Sequence, residues 1–198
     1  MILINAFDFD NTLYDGESTL DFYFFCVKHH PLLIKFVFVV LYNLIKYKMC
    51  LITEDRLVYL ADKYICDFLK GCPDIEELAE KFWDKNVNKI KQSVYSKLSD
   101  GDLVISASFG YVLRPLFSRL DKNVVLLCSE ADLKNYKILQ LCFRKNKILL
   151  FNKYYPSVVI NDFYTDSLND LEFMKLAKNK AYMVKGENIC EYDFSVGG

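Results

Sequence analysis

The sequence contains few residues that break regular structure and few that mark one class of partner. Its 198 residues include seven glycines, four prolines, one tryptophan and two histidines. This scarcity of glycine and proline excludes a collagen-like chain, and 53% hydrophobic residues exclude intrinsic disorder. The 25 basic and 26 acidic side chains give no positive excess that would favour nucleic acid. We expect one compact unit, or a core with an inserted subdomain.

The sequence also lacks the cysteine patterns of a disulfide framework or a zinc site. Its seven cysteines are an odd number, and neither a Cys-x-x-Cys pair nor a suitable histidine spacing is present. We expect reduced thiols in a cytoplasmic protein. The first residues, Met-Ile-Leu-Ile-Asn-Ala-Phe-Asp, have no basic segment and reach an acidic pair early, so they do not resemble a signal peptide.

A long hydrophobic run is missing as well. The uncharged stretch 36–45 is about half as long as a membrane-spanning helix requires, so we expect no transmembrane segment. We favour a helix buried in a subdomain core or at a homodimer contact. The alternative is a peripheral membrane contact, in which flanking lysines touch anionic lipid: Lys35, Lys46 and Lys48.

Short apolar runs of strand length recur along the chain, bounded by polar or turn residues. After the first run, segments of helical length separate them, such as 109–120 and 168–178. Apolar strands that alternate with helices predict an α/β fold with a parallel sheet covered on both faces. The predicted strands are Ile2–Phe7, Leu103–Ile105, Val124–Cys128, Val158–Ile160 and Ala181–Val184.

More than eighty residues between the first two predicted strands show helix signals and no strand-like alternation. We therefore expect a helical subdomain at 15–99, inserted between the two parts of the α/β core at 1–14 and 100–198. Thr53 suits the start of one helix, and Asp74 with Glu77 predicts a capping box for the next.

Two carboxylates follow the first predicted strand, in the segment Phe7-Asp8-Phe9-Asp10-Asn11-Thr12. Like charges this close in a partly desolvated position disfavour each other's ionisation, so a positive group is expected beside them. Asp, Asn and Thr also form ordinary turns at strand ends, which is the structural alternative for this segment taken alone.

Polar residues end two other predicted strands. Ser106, Ala107 and Ser108 follow the second, while Asp162 and Asp166 follow the fourth. In an open parallel sheet these ends share one edge, where ligands bind. Four carboxylates, two hydroxyls and a lysine at that edge fit a divalent cation and a phosphoryl group.

These residues resemble the motifs of the haloacid dehalogenase-like phosphohydrolases. Asp8-Phe9-Asp10-Asn11-Thr12 is similar to the first motif, DxDxT, and Ser106 to the second. Asp162 and Asp166 match the fourth, GDxxxD, with Asn161 at the glycine position. The resemblance implies a Rossmann-like parallel sheet core with an inserted α-helical cap of the C1 type, as in the phosphoserine phosphatase-like branch.

The resemblance also implies a Mg²⁺-dependent phosphatase that acts on a small phosphorylated substrate. Asp8 would be the nucleophile that forms an aspartyl-phosphate, and Asp10 the acid and base. The metal set would be Asp8, Asp10 through its backbone carbonyl, Asp162 and Asp166.

The phosphate-binding set implied by the resemblance is Ser106, Ala107 and Thr12, of which Thr12 would also fix the nucleophile loop. Lys147 is chosen as the third-motif lysine, with Lys145 and Lys153 as rivals. Two weaker candidates for substrate contact are Glu17, for an amine, and Arg56, for a carboxylate.

Three other functions stay open at this point. Asp10 argues against a dehalogenase, which needs no acid for its leaving group. A phosphomutase or phosphotransferase would use the same residues, and a non-catalytic protein would keep the fold without the chemistry. A receiver-like signalling domain also combines Asp, Ser or Thr, Lys and Mg²⁺, but it is much shorter and has no cap.

Overall fold

The computed structural model describes residues 2–49, 51 and 53–195. Its strands are β1 (Ile2–Asp8), β2 (Leu103–Phe109), β3 (Val125–Asp132), β4 (Lys137–Gln140), β5 (Val158–Thr165), β6 (Lys180–Lys185) and β7 (Asn188–Glu191). They form one sheet in the order β4-β3-β2-β1-β5-β6-β7. The five inner strands run parallel, and β4 and β7 pair antiparallel at the two edges. The predicted α/β fold with a Rossmann-like sheet is confirmed.

The helices surround this sheet. They are α1 (Ser18–His29), α2 (Lys35–Lys48), α3 (Glu54–Lys70), α4 (Ile75–Asn86), α5 (Gln92–Tyr95), α6 (Gly110–Phe117), α7 (Lys145–Tyr154) and α8 (Leu171–Met174). The first five lie between β1 and β2, where a helical insertion was expected. The domain boundaries at 14/15 and 99/100 stay a prediction.

The inserted helices share a hydrophobic core with one face of the sheet. A single buried cluster joins Phe7 and Phe9 of the sheet region to Phe22 of α1 and Trp83 of α4. The Trp83 indole N–H donates to the Val112 carbonyl at 2.6 Å, which ties α4 to α6. A second cluster fills the opposite face beneath α7 and α8. Part of the insertion is therefore anchored directly on the core.

The helix α2 buries one face and exposes the other. Phe36 is 8% exposed and Phe38 is 67% exposed. Tyr42 and Ile45 are also exposed, so the expected burial of the whole run 36–45 holds for only part of it. The Lys48 side chain lies outside the described part of the chain. Among the described residues, no helix has the length and apolar character needed to cross a membrane.

Local differences from the expected elements affect the site. The fourth predicted strand continues five residues past Ile160, to Thr165. The expected helix at 168–178 is reduced to a 3-10 turn at Leu168–Asp170 and the short α8. Thr53 accepts the Arg56 N–H at the start of α3, as expected. Asp74 precedes α4 but makes no capping bond with its side chain, so the predicted capping box is wrong.

Candidate active site

A cleft of about 220 Å³ opens at the carboxyl ends of β1, β2 and β5. Parallel strands expose their carboxyl ends at one edge, so residues distant in sequence meet there. The cleft brings together residues from the β1 loop, the start of α1, β2, α7 and the loop after β5: Asp8, Asp10, Asn11, Glu17, Ala107, Phe143, Arg144, Lys147, Asp166, Ser167, Asn169 and Asp170.

Asp8 lies at the end of β1 beside a buried lysine. The Lys147 ammonium group donates to Asp8 Oδ1 at 2.8 Å and to the Asp170 carboxylate at 2.9 and 3.0 Å. Burial raises the pKa of Asp8 to about 7; Lys147 opposes this rise, and repulsion from Asp170 adds to it. Burial alone would lower the pKa of Lys147, but these two carboxylates raise it. Lys147 is therefore a cation held between two carboxyl groups.

The Asp10 carboxylate points toward the start of α1. Its Oδ1 accepts the Ser18 backbone N–H at 2.6 Å, and its Oδ2 accepts the Ser108 hydroxyl at 3.0 Å. Burial raises the pKa of Asp10, although these hydrogen bonds oppose the rise. A carboxyl group with a raised pKa, held in one orientation at a cleft, is suited to proton transfer.

Thr12 connects the β1 loop to the loop after β5. Its hydroxyl oxygen accepts the Asp166 N–H at 2.9 Å and lies 3.4 Å from Asp8 Oδ2. The residue is fully buried and does not line the cleft. The loop-fixing expectation agrees with this geometry, whereas direct phosphate contact by Thr12 does not. Thr12 sets the relative position of Asp8 and Asp166.

Asp162 requires a correction, because it lies away from the cleft. Its carboxylate accepts the Asn179 side-chain amide at 2.8 Å and the Lys180 N–H at 3.2 Å. Since β5 continues to Thr165, Asp162 is four residues short of Asp166, about 13 Å along an extended strand. The acidic pair at the cleft is instead Asp166 and Asp170, which has the same spacing. Asp162 is therefore no candidate metal ligand.

Ser106 and Ala107, at the end of β2, differ in whether they line the cleft. Ala107 lines it, whereas Ser106 is 1% exposed and does not line it. Ser106 Oγ accepts the Ser108 N–H at 3.0 Å, which leaves its hydroxyl proton to donate. Ser106 thus supports Ser108, the residue that holds Asp10.

The remaining candidates separate clearly by position. Lys145 and Lys153 are exposed on α7, and Lys153 contacts Tyr154, so Lys147 is the candidate whose ammonium group reaches Asp8. Glu17 lies at the cleft mouth and accepts from the Asn11 side chain at 2.6 Å. Arg56 is an exposed residue of α3 that stacks over Tyr59 and does not line the cleft, so this position does not support its expected substrate contact.

Sequence reasoning missed several residues of this region. Asp170 had a detectable signal, since Asp166-x-x-x-Asp170 repeats the spacing of Asp162-x-x-x-Asp166. Lys91 had none: it is 4% exposed, and its ammonium group donates to the Asn11 carbonyl at 2.5 Å. Asn11 has a positive φ of 55°, which Asn tolerates better than most residues. Lys91 therefore holds a tight turn directly after Asp10.

The acidic residues of the cleft fit a hard divalent cation. Asp8, Asp10, Asp166 and Asp170 contribute carboxylates, and burial raises the pKa of the first three. Among the described residues that line the cleft, Lys147 and Arg144 are the two cations. Oxygen donors of this kind are the ligands that Mg²⁺ prefers. Asp8 and Asp166 both lie near the Thr12 hydroxyl, and they are the carboxylates placed to hold such a cation.

Comparisons with known proteins extend to fold only. No family model matches the chain, and no curated protein matches it. The solved structure of a protein with unknown function from Bordetella pertussis Tohama I matches with a TM-score of 0.67 and 13% identity, over 91% of this chain and 89% of that chain. The chain therefore shares its fold with that protein.

Two further solved structures have lower scores. A phosphoserine phosphohydrolase-like protein from Francisella tularensis subsp. tularensis SCHU S4 has a TM-score of 0.49 and 16% identity, over 91% of this chain and 86% of that chain. A phosphoserine phosphatase in apo form has a TM-score of 0.44 and 14% identity, over 91% and 84%. The strand order and the helical insertion after β1 describe an α/β fold with a Rossmann-like parallel sheet.

Proposed function

We propose that this protein is a Mg²⁺-dependent phosphatase that hydrolyses a phosphate monoester through an aspartyl-phosphate on Asp8. The observation that carries the proposal is the ion pair between Asp8 and Lys147, whose atoms lie 2.8 Å apart. Asp10, two residues after Asp8, is a second carboxyl group that is held separately by Ser18. A nucleophile, a fixed cation and a proton donor thereby share one cleft.

In the first step, an Asp8 carboxylate oxygen forms a bond to phosphorus, and the bond from phosphorus to the leaving oxygen breaks. Asp10 donates its proton to that leaving oxygen, which departs as an alcohol. Lys147 offsets the charge on the phosphoryl oxygens while remaining paired with Asp170. The raised pKa of Asp10 is consistent with a carboxyl group that carries a proton for this step.

In the second step, Asp10 accepts a proton from a water molecule, whose oxygen attacks phosphorus. The bond from Asp8 to phosphorus breaks, and inorganic phosphate leaves with the Asp8 carboxylate restored. Ser18 and Ser108 keep Asp10 in place for both proton transfers. One carboxyl group then acts as acid and base in turn.

Mg²⁺, held by Asp8, Asp166 and the Asp10 carbonyl, would supply positive charge that lets an anionic nucleophile approach an anionic substrate. Thr12 keeps the two carboxylates together by binding the Asp166 N–H. Asp170 supports the site indirectly, since it positions Lys147 and accepts the Thr165 hydroxyl at 3.1 Å.

The substrate we propose is a small phosphorylated molecule. The cleft, at about 220 Å³, is smaller than typical pockets for drug-sized ligands, roughly 300–1,000 Å³. Glu17 at its mouth offers a carboxylate to a cationic group on the substrate. The residues at the mouth that would contact the leaving group also include Phe143 and Arg144.

The test compares two matched substitutions, Asp8→Asn and Asp162→Asn, with 4-nitrophenyl phosphate and Mg²⁺. Both replace a strand aspartate by its amide, but only Asp8 lines the cleft. We expect Asp8→Asn to lower kcat by about 10³-fold or more, because an amide cannot form the acyl phosphate. Asp162→Asn should stay within about threefold of the unsubstituted protein.

Two controls make this comparison decisive. Chelation by EDTA should abolish hydrolysis and added Mg²⁺ should restore it. Asp8→Asn should melt no lower than the unsubstituted protein at pH 8 without metal, because the raised pKa of Asp8 shows that its charge is unfavourable in the fold. An unsubstituted protein that is inactive toward a panel of phosphate monoesters, or an active Asp8→Asn, would contradict the proposal.

A further inference from the structure

A cluster of thiol, imidazole and carboxylate groups lies at the end of α1 remote from the cleft. The His30 ring nitrogen Nε2 lies 2.5 Å from Asp74 Oδ1. The Cys72 thiol lies 3.9 Å from the same oxygen. The ligating atoms of these three residues all lie within 4.8 Å of one another. The Cys26 thiol adjoins the Cys72 thiol.

We propose that His30, Cys72 and Asp74, with Cys26 adjoining, form a binding site for a transition-metal ion of the Zn²⁺ class. Sulfur, imidazole nitrogen and carboxylate oxygen are the three donor types that Zn²⁺ uses in proteins. The cleft, by contrast, offers oxygen donors that suit Mg²⁺. The two sites thus differ in the kind of metal they select.

The distances between the donor atoms suit a small tetrahedral ion. Zinc–ligand bonds of about 2.0–2.3 Å place neighbouring donor atoms roughly 3.3–3.8 Å apart. The Cys72–Asp74 separation of 3.9 Å is close to this range. His30 and Asp74, at 2.5 Å, need to separate by about 1 Å, and their side chains are 30% and 39% exposed. Both are free to make this adjustment at the surface.

The four donor residues come from two segments of the backbone, the end of α1 and the turn before α4. Cys26 lies in the last turn of α1, and His30 directly follows that helix, with the His30 N–H donating to the Cys26 carbonyl at 2.8 Å. Cys72 and Asp74 are two residues apart in the turn between α3 and α4. Cys26 and Cys72 are fully buried, whereas His30 and Asp74 reach the surface and give an ion a path of entry.

The Asp74 side chain gives a second reason for this assignment. Asp74 precedes α4, where an aspartate commonly caps the helix, yet its side chain makes no capping bond. Its carboxylate turns to His30 and Cys72 instead. On binding the ion, Cys72 would lose its thiol proton to solvent, and neutral His30 would bind through Nε2 while keeping a proton on Nδ1. The ion would fasten the end of α1 to the turn before α4.

The experiment titrates the reduced protein with Co²⁺, a spectroscopic substitute for Zn²⁺, in excess Mg²⁺. We expect one Co²⁺ per chain, with a thiolate-to-cobalt charge-transfer band that added Zn²⁺ removes. His30→Gln and Cys72→Ser should weaken Co²⁺ binding by more than about tenfold. Zn²⁺ should also raise the melting temperature of the unsubstituted protein and not that of His30→Gln.

Matched controls separate this site from the rest of the chain. His29→Gln replaces the neighbouring histidine, whose Nδ1 contacts the Phe25 carbonyl, and Cys66→Ser replaces a thiol on α3. Both should keep the band, as should the inactive Asp8→Asn. Because His30 is partly exposed, His30→Gln should fold and still test the site even if Cys72→Ser does not fold. Absence of a thiolate band in the unsubstituted protein, or an undiminished band in His30→Gln, would overturn the proposal.

Discussion

At the scale of single residues, the two aspartates of the β1 loop have distinct surroundings. Asp8 faces a lysine, whereas Asp10 faces two hydrogen-bond donors on α1 and β2. A cation favours a charged nucleophile, while a fixed, buried carboxyl group with a raised pKa favours proton transfer. The difference in their proposed roles follows from these neighbours, since the residues are chemically identical.

Substitution of Asp10 should therefore depend on the leaving group. With Asp10→Asn, hydrolysis of an alkyl phosphate should fall by about 10²–10⁴-fold. Hydrolysis of 4-nitrophenyl phosphate should fall far less in the step that releases nitrophenol, because that leaving group needs little protonation. Burst kinetics with both substrates measure the rate of this first step. Equal losses in the first step for both substrates would assign Asp10 a structural role only.

Lys147 should stabilise the fold in a pH-dependent way. In Lys147→Met, Asp8 and Asp170 stay buried without their cation, which costs about 3–5 kcal/mol. The pKa of Asp8 is about 7 in the folded chain and near 3.8 when exposed, so its burial becomes less favourable as the pH rises from about 4 to 7. Loss of Lys147 adds to that penalty.

Urea unfolding at pH 5 and pH 8 tests this expectation. The loss of unfolding free energy in Lys147→Met should be larger at pH 8, where Asp8 is ionised, than at pH 5, where it holds a proton. Lys145→Met, on the exposed side of the same helix, should change little at either pH. A loss that is equal at both pH values would show that the charge pairing is not responsible.

At the scale of elements, alternation in the sequence predicted the parallel strands, but it did not predict where they end. Val158–Ile160 is apolar, and the next residues, Asn161 and Asp162, resemble a loop. The strand continues because Phe163 and Tyr164 pair with Ala6 and Phe7 of β1. The Asp162 carboxylate accepts hydrogen bonds from Asn179 and Lys180 at the start of β6. Partners distant in sequence set the strand end, so the acidic pair was assigned four residues too early.

The same limit applies to the short edge strands and to Lys91. The strands β4 and β7 are four residues each, too short to show a period. Lys91 becomes recognisable only when the β1 loop folds back on it. By contrast, the DxDxT segment was predictable, because its residue types and their spacing directly follow an apolar strand.

The helix α2 provides a prediction at this scale. Phe36 packs against Phe68 of α3, and Phe38, two residues later, is exposed. Phe36→Ala should cost about 3–5 kcal/mol and lower the melting temperature by at least roughly 6 °C. Phe38→Ala should shift it by less than about 2 °C. Calorimetry on both variants tests the orientation of α2, and equal shifts would contradict it.

The exposed side of α2 leaves one earlier expectation open. A homodimer contact or a peripheral membrane contact through this helix stays a prediction. Sedimentation of Phe38→Asp, with and without anionic vesicles, distinguishes them: loss of a dimer supports the first, and loss of vesicle binding supports the second.

At the scale of the whole molecule, the helical insertion and the sheet act together. The start of α1 holds Asp10 through Ser18, and α1 packs into the same core as the sheet. The 12 residues of α1 span about 18 Å, from Asp10 at one end to His30 just beyond the other. The insertion thus positions a proposed catalytic group.

The most direct test of the proposed chemistry is to trap the phosphorylated enzyme. The protein would be mixed with 4-nitrophenyl phosphate and Mg²⁺, quenched in acid and reduced with borohydride, which converts an aspartyl-phosphate to homoserine. Peptide mass spectrometry then identifies the modified position. We expect homoserine at position 8 in the unsubstituted protein, more of it in Asp10→Asn, where the second step is slowed, and none in Asp8→Asn. Turnover without modification at position 8, or modification at another aspartate, would contradict the mechanism.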